Sequence, residues 1–194
     1  MRAQYPALAS APTIVQEALL FPYLEGVGYV GELWQSVEGR PAPFGPYLPQ
    51  STEQVLDPGK VAGEREDGPT EVEVTLAEGV EPIFQSSLGQ MELRVLLVEH
   101  LGEEADGLAR GWDGDRYLLV PDAEGDEGLL WASVWDSPAA RDRFTAGFEP
   151  ALDRLPLPAT LEAVEVDGRP CAVLRVGLSE TLQVSLTLLE EREG

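Results

Sequence analysis

Histidine and cysteine are nearly absent from this 194-residue sequence, which contains one of each, His100 and Cys171. A lone cysteine excludes an internal disulfide framework. Tetrahedral zinc sites take most of their ligands from these two residue types, and a Ser-His or Cys-His nucleophile would need His100 as its base. We therefore expect no histidine-ligated zinc centre, no cofactor and no complete catalytic apparatus. His100 is expected to lie near a helix end, and Cys171 to be buried in a strand.

Long apolar runs are also missing from the chain. No window approaches the ~20 apolar residues of a membrane-spanning helix. The first 25 residues contain no charged segment followed by an unbroken apolar stretch. These absences predict a cytoplasmic protein without a membrane partner; a secreted or periplasmic location stays open if the sequence was trimmed from a longer one.

Positively charged residues are also scarce. Lys60 is the only lysine beside twelve arginines, and 35 acidic residues bring the net charge to −22. So acidic a surface repels nucleic-acid phosphate and anionic lipid, which argues against nucleic-acid binding. The acidity serves solubility or a salty or warm habitat, or it attracts a basic protein partner. The sequence does not determine the oligomeric state.

The patterning that is present predicts an α+β fold in two parts. Residues 1–62 are expected to form helices and an aromatic loop, and residues 63–194 an α+β domain in one compact unit with them. The first helix is expected to break or kink at Phe21-Pro22, because proline lacks a donor and clashes with the preceding turn. Helix starts are predicted at Ser51, Ser87 and Ser137-Pro138.

An antiparallel sheet of ββαββα order is predicted for the second part, preceded by a strand at 71–76. Its strands are 116–121, 129–135, 161–166 and 171–176, and the last two are joined by an Asp167-Gly168 turn. Residues 182–189 fit both a strand and a helix, and we prefer the helix, capped by Ser179. Both faces of the first hairpin are apolar, so a second layer must cover it, and the N-terminal helices are the expected cover.

Two groups of residues are candidates for binding. Asp113 and Asp115 flank a glycine; such a pair caps a turn into a strand or contributes to a calcium site, although the other oxygen ligands that calcium needs are not evident. Trp131 and Trp135 share one strand face, which is typical of a core beneath a helix or of a groove wall. The candidate binding residues are Trp131, Trp135, Phe44, Tyr47, Trp112, Asp113, Asp115 and Arg116, and no catalytic or metal-binding residue is predicted.

Two stretches carry a family resemblance. One runs from Phe21-Pro22-Tyr23 to Ser51-Thr52-Glu53-Gln54 and Pro58; the other is Gly111-Trp112-Asp113-Gly114-Asp115-Arg116, followed by Trp135-Asp136. In this order they resemble an uncharacterised bacterial family related to gluzincin-type zinc metallopeptidases. Fuller members of that family carry an HExxH helix before the first stretch and a histidine where this sequence has Asp57. No HExxH occurs here, so the resemblance implies descent from the C-terminal part of a peptidase-like protein, with no metal ligand carried over.

The leading hypothesis is therefore a non-catalytic, peptidase-derived domain that acts by binding a protein or peptide. Its expected surface is the aromatic loop 41–49 together with the Trp131/Trp135 face. The alternative is one subunit of a split zinc metallopeptidase whose HExxH half is a separate chain. A third hypothesis is a metal-dependent hydrolase that uses Asp113, Asp115 and Asp136.

Overall fold

A computed structural model describes residues 6–62, 67–121 and 127–189 and has the predicted α+β class. In the described part of the chain, no helix is long and apolar enough to cross a membrane. Two short 3₁₀ segments cover Gly45–Tyr47 and Glu103–Ala109. The helices are α1 (Pro6–Ala9), α2 (Thr13–Ser36), α3 (Thr52–Leu56), α4 (Gly59–Ala62), α5 (Gln90–Leu101) and α6 (Pro138–Leu152). The strands are β1 (Glu71–Leu76), β2 (Phe84–Ser86), β3 (Trp112–Pro121), β4 (Glu127–Trp135), β5 (Ala159–Val166), β6 (Arg169–Val176) and β7 (Val184–Leu189).

The strands form two antiparallel sheets. Five strands lie in the order β2-β3-β4-β6-β5, and β1 pairs with β7 as a separate ribbon. The central pair, β3 and β4, is in register from Gly114 opposite Val134 to Pro121 opposite Glu127. Successive side chains of a strand point to opposite faces. Because both faces of the central strands are apolar, the large sheet needs a covering layer on each side.

The first face of the sheet is covered by α5, α6 and the 3₁₀ segment between Glu103 and Ala109. An aromatic cluster lies at the centre of this layer. The Phe144 ring stacks on Trp135 with 4.6 Å between centroids and meets Trp131 edge-on at 5.6 Å. Such pairs stabilise a core by about 0.5–1.5 kcal/mol beyond the area they bury.

The second face is covered by the ribbon of β1 and β7, so the expected cover by the N-terminal helices is wrong. Val72 of β1 and Leu186 of β7 pack in one cluster with Leu118 and Val173 of the large sheet. In contrast, α2 contacts α3 and α5, on the other side of the molecule. Two strands with one apolar face each supply the cover that we expected from helices.

The C-terminal segment is the strand β7, and the predicted helix capped by Ser179 is wrong. Its residues alternate between partly buried and exposed, with Leu186 inward and Thr187 outward. It pairs with β1 from Glu71 opposite Leu189 to Leu76 opposite Val184. The local pattern fits both structures, and pairing with β1 decides between them, because strand preference depends on neighbours more than on the segment itself.

Helix α2 runs without interruption through Pro22, where the sequence predicts a break or kink. Proline cannot donate to the carbonyl of Ala18, four residues earlier. Both Ala18 and Pro22 are exposed. At an exposed position solvent can supply the missing donor, and one missing hydrogen bond does not end a helix of 24 residues.

Three predicted local signals are confirmed. The Ser51 hydroxyl accepts a hydrogen bond from the Gln54 backbone N–H at 3.2 Å, and the Ser137 hydroxyl accepts one from Ala140 at 3.2 Å. Asp167 and Gly168 join β5 to β6 with φ angles of 52° and 77°. Two successive positive φ angles define the tight hairpin turn that Asp-Gly favours.

Candidate functional site

The predicted Trp131/Trp135 binding face is not a surface. Their side chains are 3% and 0% exposed and lie beneath α6. The Trp135 indole donates to the Ser133 hydroxyl at 3.0 Å, within the core. Of the loop aromatics, Phe44 is exposed and Tyr47 is partly buried, with its carbonyl accepting from the Tyr29 hydroxyl. The core interpretation of the two tryptophans is therefore correct, and Phe44 remains an exposed candidate.

Asp113 and Asp115 do not share one site, because their carboxylates hold different parts of the fold. Asp113 accepts from the Thr70 hydroxyl at 2.7 Å and pairs with Arg169. Asp115 accepts from the Leu88 backbone N–H at 3.0 Å and from the Trp131 indole at 2.6 Å. Burial raises the pKa of both carboxyls, against the hydrogen bonds that favour their charged forms.

Asp115 also explains why α5 does not begin at the predicted cap, Ser87. The Ser87 hydroxyl donates to the Asp115 carbonyl at 3.0 Å, and the Asp115 carboxylate faces the N-terminal end of α5. A negative charge there is favourable, because the first backbone N–H groups of a helix have no partner within it. In the first turn itself, the Met91 N–H is accepted by the Thr52 hydroxyl of α3, so β3 and α3 together take the place of the local cap.

The two sequence blocks that carry the family resemblance lie side by side. The Thr52 hydroxyl accepts from the Met91 backbone N–H at 3.2 Å, which ties α3 to the start of α5. A cleft of about 990 Å³ is lined by residues of both sequence blocks. Ser51 and Thr52 of one block line this cleft together with three predicted binding residues of the other, Trp112, Asp115 and Arg116.

Lys60 lies among three carboxylates that come from distant parts of the chain. Its ammonium group is 2.8 Å from Glu53 Oε1, 2.9 Å from Asp67 Oδ2 and 2.8 Å from Asp136 Oδ1. Burial lowers the pKa of Lys60, but the three hydrogen bonds outweigh this effect and raise it. Lys60 therefore stays charged and joins α3, α4 and the end of β4. Among the described residues, no group of His, Cys, Asp and Glu is placed to hold a metal ion.

Glu53 is the most deeply buried member of this cluster, with 1% of its side chain exposed. Burial raises its pKa from 4.5 to about 8, although the hydrogen bond and charge of Lys60 act in the opposite direction. One ammonium cannot neutralise three carboxylates, so the least hydrated of them keeps its proton longest. At neutral pH the cluster therefore holds a proton on Glu53.

A second cavity, of about 490 Å³, lies beside the Lys60 cluster; we call it the acidic cavity. Glu53 and Gln90 both line it and are buried. The Gln90 amide donates to the Ala109 carbonyl at 3.0 Å. Glu53 Oε2 and Gln90 Oε1 have no hydrogen-bond partner in the described residues. Most buried polar atoms are hydrogen-bonded, so these two oxygens are exceptions.

Helix α2 presents large apolar side chains to solvent. We call this surface the α2 face; it consists of Leu19, Tyr23, Leu24, Val27 and Trp34, all between 45% and 76% exposed. At 100° per residue, these positions lie within roughly 140° of the helix circumference. Patches of this kind are rare on monomers and mark interaction surfaces.

Sequence reasoning missed the Lys60 cluster, the acidic cavity and the α2 face. Lys60 and Asp136 are 76 residues apart, so no local pattern links them. The α2 face has a signal in the sequence, since helical spacing repeats its apolar residues, but the same spacing also fits a buried helix. His100 lies in the last turn of α5 and Cys171 is buried in β6, as predicted.

The comparisons with known proteins give one match. No curated protein and no solved structure matches the sequence. The profile of a family described as "Domain of unknown function (DUF8575)" matches residues 78–181. This segment contains the Gly111–Arg116 block and Trp135-Asp136, while the Phe-Pro-Tyr and Ser-Thr-Glu-Gln blocks lie outside it. The match covers more than half of the chain, and the protein belongs to the DUF8575 family.

Proposed function

We propose that this protein is a non-catalytic binding domain that docks another protein on the α2 face. The partner contributes an apolar helix flanked by basic residues. One observation carries the proposal: α2 leaves five large apolar side chains in water. Covering apolar surface is favourable by about 25 cal/mol per Å², so a protein that fits this face gains affinity from most of its area.

The glycines of α2 are a reason to expect that the partner is itself a helix, because they allow another backbone to approach closely. A Cβ atom added at Gly26, Gly28 or Gly31 would meet no atom within 4 Å. Each glycine costs a helix about 1 kcal/mol relative to alanine. Close approach of another backbone is a reason to keep them, and no described segment of this chain makes that approach.

The charge of the molecule selects the partner. A second copy would bring another net charge of −22, and two such surfaces repel each other. Glu32 and Glu38 are exposed on and just beyond α2. Basic residues beside an apolar helix therefore complement this surface and steer the association.

Two synthetic helical peptides of the length of α2 test the proposal. Both carry the same leucine stripe, and their flanks are lysine in one and glutamate in the other. We expect the lysine peptide to bind in calorimetry, and a Leu19→Glu/Val27→Glu variant to bind it at least about tenfold more weakly, a loss of about 1.4 kcal/mol.

The matched control is Gln35→Glu/Ser36→Glu, which adds the same two charges to α2 outside the α2 face. Its affinity should stay within about twofold of the wild type. Equal binding of both peptides, or equal loss in both variants, would contradict the charge argument. A dimer in sedimentation that Leu19→Glu/Val27→Glu dissociates would instead identify the α2 face as a self-association surface and overturn the proposal.

A second candidate function is the split zinc metallopeptidase, in which the partner is a separate chain bearing HExxH. The position of the Phe21-Pro22-Tyr23 block favours it, because Tyr23 lies in the middle of the α2 face and is 76% exposed. Co-expression with such a chain should give a zinc-containing complex that Leu19→Glu/Val27→Glu disrupts. Failure to form the complex would leave only the non-catalytic proposal.

A further inference from the structure

We propose that the outer edge of β1 binds an extended peptide as an added strand, in which basic residues alternate with β-branched ones. This edge lies along a groove of about 660 Å³, which we call the edge groove. All six residues of β1 line it, together with residues 77–82, Gln85, Arg116 and Leu118. The edge groove shares no lining residue with the α2 face, and the proposal does not depend on the docking function.

The backbone groups of β1 alternate between its partner β7 and the edge groove. In an antiparallel pair, hydrogen-bonded residues alternate with residues whose N–H and C=O groups point away from the partner strand. Ala77, directly after β1, donates to the Gln183 carbonyl at 3.1 Å, so the odd-numbered residues of β1 face β7. The even-numbered residues Val72, Val74 and Leu76 therefore turn their backbone groups to the other side.

Two contacts near the start of β1 agree with this direction. The Thr70 N–H donates to the Asp113 carbonyl of β3 at 2.7 Å, and the Arg116 side chain donates to the Val72 carbonyl at 3.1 Å. Gly114 permits so close an approach, because a Cβ atom there would clash with the Thr70 carbonyl. The first end of β1 is thus fixed to β3, and the edge groove opens beyond it.

The backbone groups of Val74 and Leu76 remain available to another strand. Among the described residues, neither makes a hydrogen bond on the side of the edge groove. Such an edge is a template for strand addition, and proteins commonly protect it with a proline, an inward-pointing charge or a covering segment. β1 contains no proline, and its inward side chains are all aliphatic. The edge is therefore competent to pair.

The charges along the edge groove select a basic strand. Four exposed glutamates line it, two on β1 and two on the connection to β2: Glu71, Glu73, Glu78 and Glu81. Arg116 is the one basic side chain among the described lining residues, and it is already hydrogen-bonded. A second copy of this chain would bring a further net charge of −22 and is repelled. A strand that carries lysine or arginine forms opposite-charge cross-strand pairs instead.

Strand alternation determines which positions of the peptide are basic. The side chains of Glu73 and Thr75 are exposed, whereas Val74 packs inward. Side chains of an added strand alternate in the same way. Its basic residues lie beside Glu73, and the residues between them point toward Gln85 and Leu118 of the large sheet, where β-branched side chains suit a half-buried position. A slip of one residue would turn the basic side chains inward, so the register is specified.

Two peptides of the length of β1 test the proposal. One alternates lysine with threonine and valine, and the other has glutamate in place of lysine. We expect only the lysine peptide to bind the full chain in an NMR titration, and Glu71→Lys/Glu73→Lys to weaken its binding at least about tenfold. The matched control is Glu162→Lys/Glu165→Lys, which makes the same charge change at exposed positions on β5 and should stay within about twofold of the wild type.

N-methylation of the lysine peptide separates strand addition from simple charge attraction. It removes amide donors and keeps every charge. Methylation of the alternate residues whose N–H groups face β1 should abolish binding, and methylation of the other alternate set should leave it nearly unchanged. Equal binding of the two methylated peptides, or equal weakening by the two double variants, would show attraction to the acidic surface only and would overturn the proposal.

Amide hydrogen exchange locates the added strand. The N–H groups of Val74 and Leu76 should exchange at least about tenfold more slowly with the lysine peptide bound. The variant Leu19→Glu/Val27→Glu should show the same protection, so failure of the α2 face as a docking surface and failure of this proposal are distinguishable. Binding that leaves the exchange of both amides unchanged would place the peptide elsewhere and would contradict the proposal.

Discussion

Two opposite effects act on the pKa of Glu53: burial raises it, and the hydrogen bond and charge of Lys60 lower it. Burial dominates, and the pKa of Glu53 rises to about 8. In the unfolded chain this carboxyl titrates near its ordinary value of 4.5. Between these two values the folded protein binds a proton that the unfolded chain has released, so stability falls as the pH rises through this range.

We predict that Glu53→Gln removes much of this pH dependence. Wild-type protein should lose stability between about pH 5 and about pH 8, because the folded-state pKa of Glu53 is raised and the stabilisation is present only while Glu53 is protonated. The variant has no ionisable group at position 53, so this contribution to the pH dependence is absent. Urea midpoints at several pH values measure the difference, and Glu73→Gln, at an exposed position on β1, should keep the wild-type slope.

The tryptophans give a second prediction at this scale. Trp135 is fully buried and stacks on Phe144, whereas Phe44 is 69% exposed in the aromatic loop. Trp135→Ala should lower the free energy of unfolding by about 3–5 kcal/mol through the cavity it leaves. Phe44→Ala should change it by less than about 0.5 kcal/mol. Similar losses in the two variants, read from chemical denaturation, would contradict this assignment of core and surface.

The interactions of a side chain could be predicted where its partner lies close in the sequence, and not where the partner comes from a distant part of the chain. The caps at Ser51 and Ser137 and the Asp167-Gly168 turn depend on neighbours within three residues, and the sequence shows them directly. The partners of Lys60 and Asp115 come from other elements. Ser87 donates to the Asp115 carbonyl, and the Thr52 hydroxyl accepts from Met91 in the first turn of α5, an arrangement that only the tertiary fold can reveal.

At the scale of elements, β7 is the clearest example of an ambiguous pattern. Leucines at 182, 186 and 189 fit a helix, and residues 182, 184, 186 and 188 fit a strand equally well. Intrinsic preference for strands is weak and depends on packing against cross-strand neighbours. The apolar face of β1 supplies those neighbours, and the same contact provides the second layer that the sheet requires.

Adjacent substitutions in β7 test this assignment. Leu186→Gln places an amide against the cluster that contains Val72 and Leu118, and should cost about 2 kcal/mol. Thr187→Gln, one residue later, points to solvent and should cost less than about 1 kcal/mol. Thermal and urea unfolding of the two variants measure the contrast. If Thr187→Gln is the more damaging change, the inward and outward assignments of β7 are reversed.

At the scale of the whole molecule, acidity acts on both stability and association. A net charge of −22 produces mutual repulsion among surface carboxylates, which opposes the compact state. The ion pairs seen in the described residues are few, and the exposed ones contribute little each. Repulsion over the whole surface therefore outweighs the local attractions that salt would weaken.

We predict that salt stabilises this protein at neutral pH. Ions at about 0.5 M shorten the range of charge interactions to a few ångströms, so repulsion between exposed carboxylates falls more than the attraction within close pairs such as Lys60 and Asp136. The melting temperature should rise with sodium chloride and reach a plateau, and sucrose at equal osmolality should not reproduce the ionic part of that rise.

The same salt should weaken binding of the lysine-flanked peptide to the α2 face, since charge attraction contributes to that complex. A melting temperature that falls with salt would show that ion pairs dominate over repulsion and would remove the charge argument for a basic partner.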